Sequence, residues 1–288
     1  IETTGGGAGG PFVPYMSGAD QIARTEGATT YNTSLGFQAL QNLAAGGNYN
    51  TALGGLAGDA ITTGDNNVAI GYQALSSEDA HGHNVAIGSY ALALQNAGAN
   101  AYNTAVGHNT GVFISTGIRN TIMGGLAGDA LTTGSENIAI GYQALSTEDG
   151  HGYNIAIGSN ALKDQNAGTN AYNVAVGSDA GRNITTGETN VIIGGLAGDA
   201  LTTSSGNVAI GYSALSTEDA HGKNTAIGYS TLRNQDAGAD AYNVAIGYDA
   251  GQAVSTGVRN TIMGGLAGDA LTTGSNNVAI GYAALSGE

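Results

Sequence analysis

The sequence predicts an all-β fold: a β-solenoid, a parallel β-roll of about 15 coils of 17–19 residues carrying a 70-residue super-repeat. Three observations predict it. A phrase of the form Asn-x-small-apolar-Gly returns along nearly the whole chain, as in "NVAIGYQALS" at Asn67, "NIAIGYQALS" at Asn137, "NVAIGYSALS" at Asn207 and "NVAIGYAALS" at Asn277. The interval is too short for a helical-hairpin repeat and suits one solenoid coil. The composition suits a thin core, with 50 Gly among 288 residues, 3 Phe, no Trp and no Cys.

The opening Asn fixes the arithmetic. It falls at Asn32, Asn50, Asn67, Asn84, Asn103, Asn120, Asn137, Asn154, Asn173, Asn190, Asn207, Asn224, Asn243, Asn260 and Asn277. After a first step of 18 the intervals cycle through 17, 17, 19 and 17, so "GGLAGDA" returns every 70 residues at Gly54, Gly124, Gly194 and Gly264. Residues 31–288 form the repeat domain; residues 1–30 read as a Gly-rich linker or attachment segment, with Pro11 and Pro14 marking an extended stretch.

Within each phrase, positions two and four lie on one strand face and position three on the other. The fourth is always apolar (Leu35, Leu53, Ile70, Ile87, Val106, Met123, Ile140) and is expected to point into the coil. The third is mostly Ala, or Ile at Ile122, Ile192 and Ile262, and is expected to point away. A helix is excluded by the Gly in every phrase, which costs about 1 kcal/mol in a helix interior. That Gly, as at Gly71 and Gly88, marks a bend that a Cβ would obstruct. The Asn copies (Asn67, Asn84, Asn103, Asn120, Asn137) are expected to stack and bond amide to amide along the axis. A second short strand is expected in "YQAL" or "GLAG", with Ala74, Ala91, Ala127 and Ala144 inward. Strands apolar on both faces are buried on both. The Ala face is therefore expected to meet other copies, giving a homotrimer, intertwined or side by side. Fifteen rungs would make a rod of about 70 Å.

The formal charge of −15, with seven Lys and Arg, argues against nucleic acid as a partner. No signal peptide and no run long enough to span a membrane stand out, so membrane insertion is not expected. The lack of Cys fits an exported or virion protein.

The iterated Asn-Val-Ala-Ile-Gly phrase resembles the left-handed β-roll heads of YadA-like trimeric autotransporter adhesins. It is more similar still to the "NTAIGYQAL" repeats of phage tail fibres. "GPFVPYMSGAD" at Gly10–Asp20 is similar to segments that precede shaft repeats in such fibres. The resemblance covers about Tyr31 to Ser286 and departs from the adhesin heads in its longer coil. It implies a left-handed roll and location in a virion tail fibre or at a cell surface. It also implies a host glycan or protein receptor, and fibre or baseplate partners through the N-terminal segment. The chain ends within a repeat at "ALSGE", as a processed piece would. The function implied is a structural, adhesive fibre. The alternatives are a bacterial adhesin head and a polysaccharide-degrading tailspike.

Candidate sites lie between the strands. Glu78, Asp79 and His81 recur as Glu148, Asp149, His151 and as Glu218, Asp219, His221. Such a set could hold a divalent cation or sugar hydroxyls; the plainer reading is a solvated acidic turn. "HGH" at His81–His83 resembles a His-x-His metal motif, but its second His becomes Tyr153 and Lys223 in later copies. Asp59, Asp129, Asp199 and Asp269 read as turn caps. Tyr102, Tyr172 and Tyr242 are candidate sugar-stacking rings, or else rungs of an aromatic ladder, as are Tyr72, Tyr142, Tyr212 and Tyr282. Thr62, Thr132, Thr202 and Thr272 recur too sparsely for an ice-binding array. No unique constellation suggests catalysis, and no metal or cofactor is expected.

Overall fold

A computed structural model describes residues 31–287. The readings made for residues 1–30 lie outside it. Fifteen three-residue strands run from β1 (Thr33–Leu35) to β15 (Val278–Ile280). They form one sheet in sequential order. Every pairing is parallel and in register: Val68 faces Val85, Ala69 faces Ala86 and Ile70 faces Ile87. Each coil contributes one rung, so the expected solenoid is present, built by a chain that stacks its own coils. Among the described residues, no helix is long and apolar enough to cross a membrane.

The expected inside and outside of the strand are reversed. In β3 (Val68–Ile70) and β7 (Ile138–Ile140) the central Ala is buried and the flanking residues are half-buried. Ile70, Ile87 and Ile140 therefore lie on the outer face, while Ala69, Ala86 and Ala139 form the inner one. The reason is the width of the coil. The wall opposite the strand supplies its own bulk, Leu75, Leu92 and Leu145, all fully buried. Only a small residue fits beneath them. The three coils that carry Ile instead of Ala, at Ile122, Ile192 and Ile262, carry Gly on that wall, at Gly128, Gly198 and Gly268. A Cβ on Gly128 would stand 3.1 Å from Ile122 Cδ1. Four more coils carry wall Gly (Gly58, Gly111, Gly181, Gly251) with Ala on the strand, and there the bulk comes from Ile61, Ile114, Ile184 and Val254 three residues on. Volume is thus shared among three interior positions, as a close-packed interior requires.

The opposite wall is not a second strand. "YQAL" is a turn in which Gln73 and Leu75 sit at φ 52° and 50°. Ala74, Ala91, Ala127 and Ala144 are inward as expected. The left-handed conformation costs an L-residue roughly 1–2 kcal/mol. Burial of each Leu, worth about 1.5–3 kcal/mol, and bonds to the next coil offset it. Leu75 N–H donates to Ala91 O at 3.0 Å, and Tyr90 N–H to Tyr72 O at 2.9 Å.

The bend glycines behave as expected. Gly71 has φ +131°, and a Cβ there would lie 2.5 Å from the carbonyl carbon of Gly88 in the next coil. The Asn ladder forms through a different donor. Each Asn Oδ1 accepts the backbone N–H of the next Asn: Asn84 on Asn67 at 3.1 Å, Asn103 on Asn84 at 3.2 Å, Asn120 on Asn103 at 2.8 Å and Asn137 on Asn120 at 2.9 Å. In most coils the side-chain N–H then reaches the carbonyl three residues before the next Asn, as from Asn120 to Gly134 O at 2.8 Å. Amide-to-amide bonds occur only locally, as from Asn207 to Asn190 at 3.1 Å.

Candidate functional site

The acidic corner is built by the interior column that lies eleven residues after each ladder Asn. In successive coils this column reads Ile61, Glu78, Gln95, Ile114, Leu131, Glu148, Gln165, Ile184, Leu201, Glu218, Gln235, Val254. Every one of these side chains is fully buried. Glu78, Glu148 and Glu218 thus occupy core positions that Ile or Leu fill elsewhere. This corrects the solvated-turn reading for the glutamates. The signal is present in the sequence as that column, and the polar composition of the turn around it hides it.

The corner has one geometry in three copies. His81 N–H donates to Glu78 Oε1 at 3.2 Å, with equivalents His151 to Glu148 at 3.2 Å and His221 to Glu218 at 3.1 Å. The imidazole Nδ1 approaches the same oxygen at 3.8, 3.3 and 3.8 Å. One ligand atom each from the Glu, Asp and His of a triplet lie within 4.8 Å of one another. The aspartates are more exposed than the glutamates. Their backbone carbonyls anchor the corner: Asp79 O accepts from Thr62 N–H at 2.6 Å and Thr62 Oγ1 at 2.9 Å. Thr132 and Thr202 repeat this on Asp149 and Asp219, so these Thr serve coil stacking.

Burial pushes the Glu78 and Glu218 carboxyls up to about 7, against the opposing pull of the His81 and His221 amides. Glu148 is raised for the same reason, with His151 also opposing. Weaker pulls come from the Ala97, Ala167 and Ala237 amides. None of these is a hydrogen bond of normal geometry to Oε2, which is buried and unpartnered in all three copies. Also unpartnered in all three are the His Nδ1 and the amide nitrogens of Asn84, Asn154 and Asn224. Asp59, Asp129 and Asp199 are raised by burial and lowered by their own backbone, as turn caps would be.

The tyrosines form rungs on the outside. Tyr102, Tyr172 and Tyr242 are about half exposed. Each covers the residue that follows the His-Gly pair one coil earlier. His83 stacks on Tyr102 at 4.9 Å between centroids, and Tyr153 on Tyr172 at 5.1 Å. Lys223 Nζ lies 5.2 Å from the Tyr242 centroid, 3.1 Å from its hydroxyl and 2.5 Å from Asp240. The drift His83–Tyr153–Lys223 thus conserves a partner for an aromatic face. Tyr212, Tyr229 and Tyr248 make a longer stack, at 5.5 and 5.2 Å. Glutamate corner and aromatic rung lie close in the chain, joined by Gly82, Gly152 and Gly222, whose N–H groups donate to Asn100, Asn170 and Asp240.

A feature that sequence reasoning placed wrongly is the outer strand face. Positions two and four of all fifteen strands make one unbroken stripe, from Thr33 and Leu35 to Val278 and Ile280. Of its 30 residues, 24 are Val, Ile, Leu or Met and six are Thr. Leu35, Met123, Ile193 and Met263 are among the exposed large apolar side chains.

Fold and surface together define the class: a parallel β-solenoid repeat protein. The sequence matches no family model, and a search of curated proteins finds no significant match.

Proposed function

We propose that the chain is a structural rod segment of a host-contacting fibre, three copies packing their apolar β faces around one axis. The observation that carries this is the unbroken stripe of 24 apolar side chains among 30. Contiguous apolar surface of that extent marks an interaction surface. The stripe is only one strand wide, roughly 10 Å. Three such stripes close a narrow prism in which each meets two others. The role first given to the Ala face passes to the Val and Ile face, and the copies lie side by side because each stacks its own coils. The long stiff solenoid supplies reach, the acidic surface supplies solubility, and the paired rings at Tyr102, Tyr172 and Tyr242 supply repeated contacts for a glycan or protein receptor. The chain itself carries no reaction in this reading.

Absolute mass by light scattering tests it. Three times 28.3 kDa is expected, falling to one times in Ile140→Asp/Ile210→Asp with the β circular-dichroism signal kept. A monomeric parent would overturn the proposal. New reducing ends after incubation with host capsule would overturn the non-catalytic part.

A further inference from the structure

We propose that each Glu-Asp-x-His corner is a site for a divalent cation of the Zn²⁺ or Mn²⁺ kind, three per chain at four-coil intervals. The first observation is geometric. Oxygens of Glu148 and Asp149 and a nitrogen of His151 come within 4.8 Å of one another, as do their counterparts in the other two copies. Metal–ligand bonds of about 2.0–2.2 Å need a closer gathering, and Asp149 is exposed and free to supply it.

The second observation is independent and concerns missing partners. Nine of the thirteen buried, unpartnered side-chain atoms among the described residues belong to these corners, three in each. Buried polar groups are otherwise almost always paired. The Glu148 carboxylate is fully buried, accepts one backbone N–H through Oε1 and leaves Oε2 unused. The next coil shows what satisfaction looks like at the same position. There Gln165 accepts from Asn173 at 2.6 Å and donates to Thr185 O at 3.2 Å. The same three atoms are bare in each copy. A cation would take the free carboxylate oxygen and imidazole nitrogen, and the remaining Asn154 N–H could donate to a water on the ion. Two carboxylates neutralise the ion's charge. The single imidazole favours Zn²⁺ or Mn²⁺ over Ca²⁺, which takes six to eight oxygens. The absence of a metal expected from sequence rested on exposed side chains, which the buried glutamates are not.

The test is equilibrium dialysis of the full chain against Zn²⁺, with bound metal counted by mass spectrometry and Ca²⁺ in a parallel arm. Three Zn²⁺ per chain are expected beyond those held by Glu78→Gln/Glu148→Gln/Glu218→Gln, and two beyond it for Glu148→Gln alone. Gln is the replacement the fold already accepts, since Gln95, Gln165 and Gln235 hold the same interior position beside a wall Leu. His151→Ala should weaken one of the three sites at least tenfold. Zn²⁺ should raise the melting temperature of the parent and not that of the triple variant. Equal Zn²⁺ on parent and triple variant would show diffuse binding to the acidic surface and overturn the site. No Zn²⁺ on either, or saturation by Ca²⁺ alone, would overturn it as well.

Discussion

Two adjacent coils, those opening at Asn120 and Asn137, share a backbone and differ inside. Their strands, Thr121–Met123 and Ile138–Ile140, pair residue for residue. Their bends superpose, with Gly124 and Gly141 at φ +124° and +136°. Inside, the first coil carries Ile122, Gly128 and Leu131; the second carries Ala139, Leu145 and Glu148. All three differences belong to one exchange of volume, since a Cβ on Gly128 would stand 2.9 Å from Leu131 Cδ1 and 3.1 Å from Ile122 Cδ1. The third breaks the rule in its chemistry, because a carboxylate replaces a hydrocarbon in the interior. The inter-coil hydrogen bonds fix the coil, then, and the interior tolerates any side-chain set of the right volume; a departure from apolar filling reports something other than packing.

The largest effect expected is from Ile122→Ala. It opens a cavity facing both Gly111 and Gly128, which a Cβ at either would place within 3.4 Å of the Ile122 Cδ1. Loss of about 2–5 kcal/mol follows from such deletions, measured by urea unfolding. Gly128→Leu comes next, with overpacking costing about 1–3 kcal/mol. The left-handed backbone adds roughly 1–2 kcal/mol, since Gly128 has the φ of 51° that Leu145 also bears. The triple variant Ile122→Ala/Gly128→Leu/Leu131→Gln gives the first coil the interior of Ala156, Leu162 and Gln165. It should recover most of the loss, and additive losses would break the exchange argument.

How much of this was legible follows from what the repeat encodes. Coil length, parallel register, bend glycines and the Asn ladder were readable because each is a backbone demand recurring at fixed spacing. The strand's facing was not. Alternation separates Ile70 from Ala69 but does not say which is inside, and size suggested the wrong one. The answer lies with Leu75, held inward by a φ of 50° that no hydrophobic pattern announces. Glu148 was misplaced for a related reason: its neighbours Asp149 and Gly150 read as a turn, which they form, while its own side chain belongs to the column of Leu131.

The comparison sharpens at Glu148→Gln, which gives the second coil the interior of the coil after it, Leu162 and Gln165. In chelator at pH 8 this variant should gain about 1–3 kcal/mol, the order of the penalty for leaving a buried polar group unsatisfied. Thermal unfolding reads it as a rise of several degrees. An unchanged or lower melting temperature would mean that the carboxylate is already well solvated, and the corner would lose its claim to a ligand.

The last comparison is the pH dependence of that gain, and its sign is fixed by the raised glutamates. In the unfolded, metal-free chain these carboxyls ionise near the ordinary 4.5; in the fold, Glu78 and Glu218 ionise only near 7. Between those values the folded state holds more protons than the unfolded one, so stability falls as pH rises. The cost is absent below about 4.5 and complete above about 7. A chain with Gln at all three positions carries no such cost. Its advantage over the parent should therefore be least at pH 4.5, widen through pH 7 and then level off, in chelator throughout. Zn²⁺ would reverse the ordering at high pH, because an ion that binds the ionised carboxylate stabilises only the parent. Parallel pH profiles for the two proteins would show that the glutamates titrate alike folded and unfolded, and burial would then not be what sets these corners apart from their neighbours.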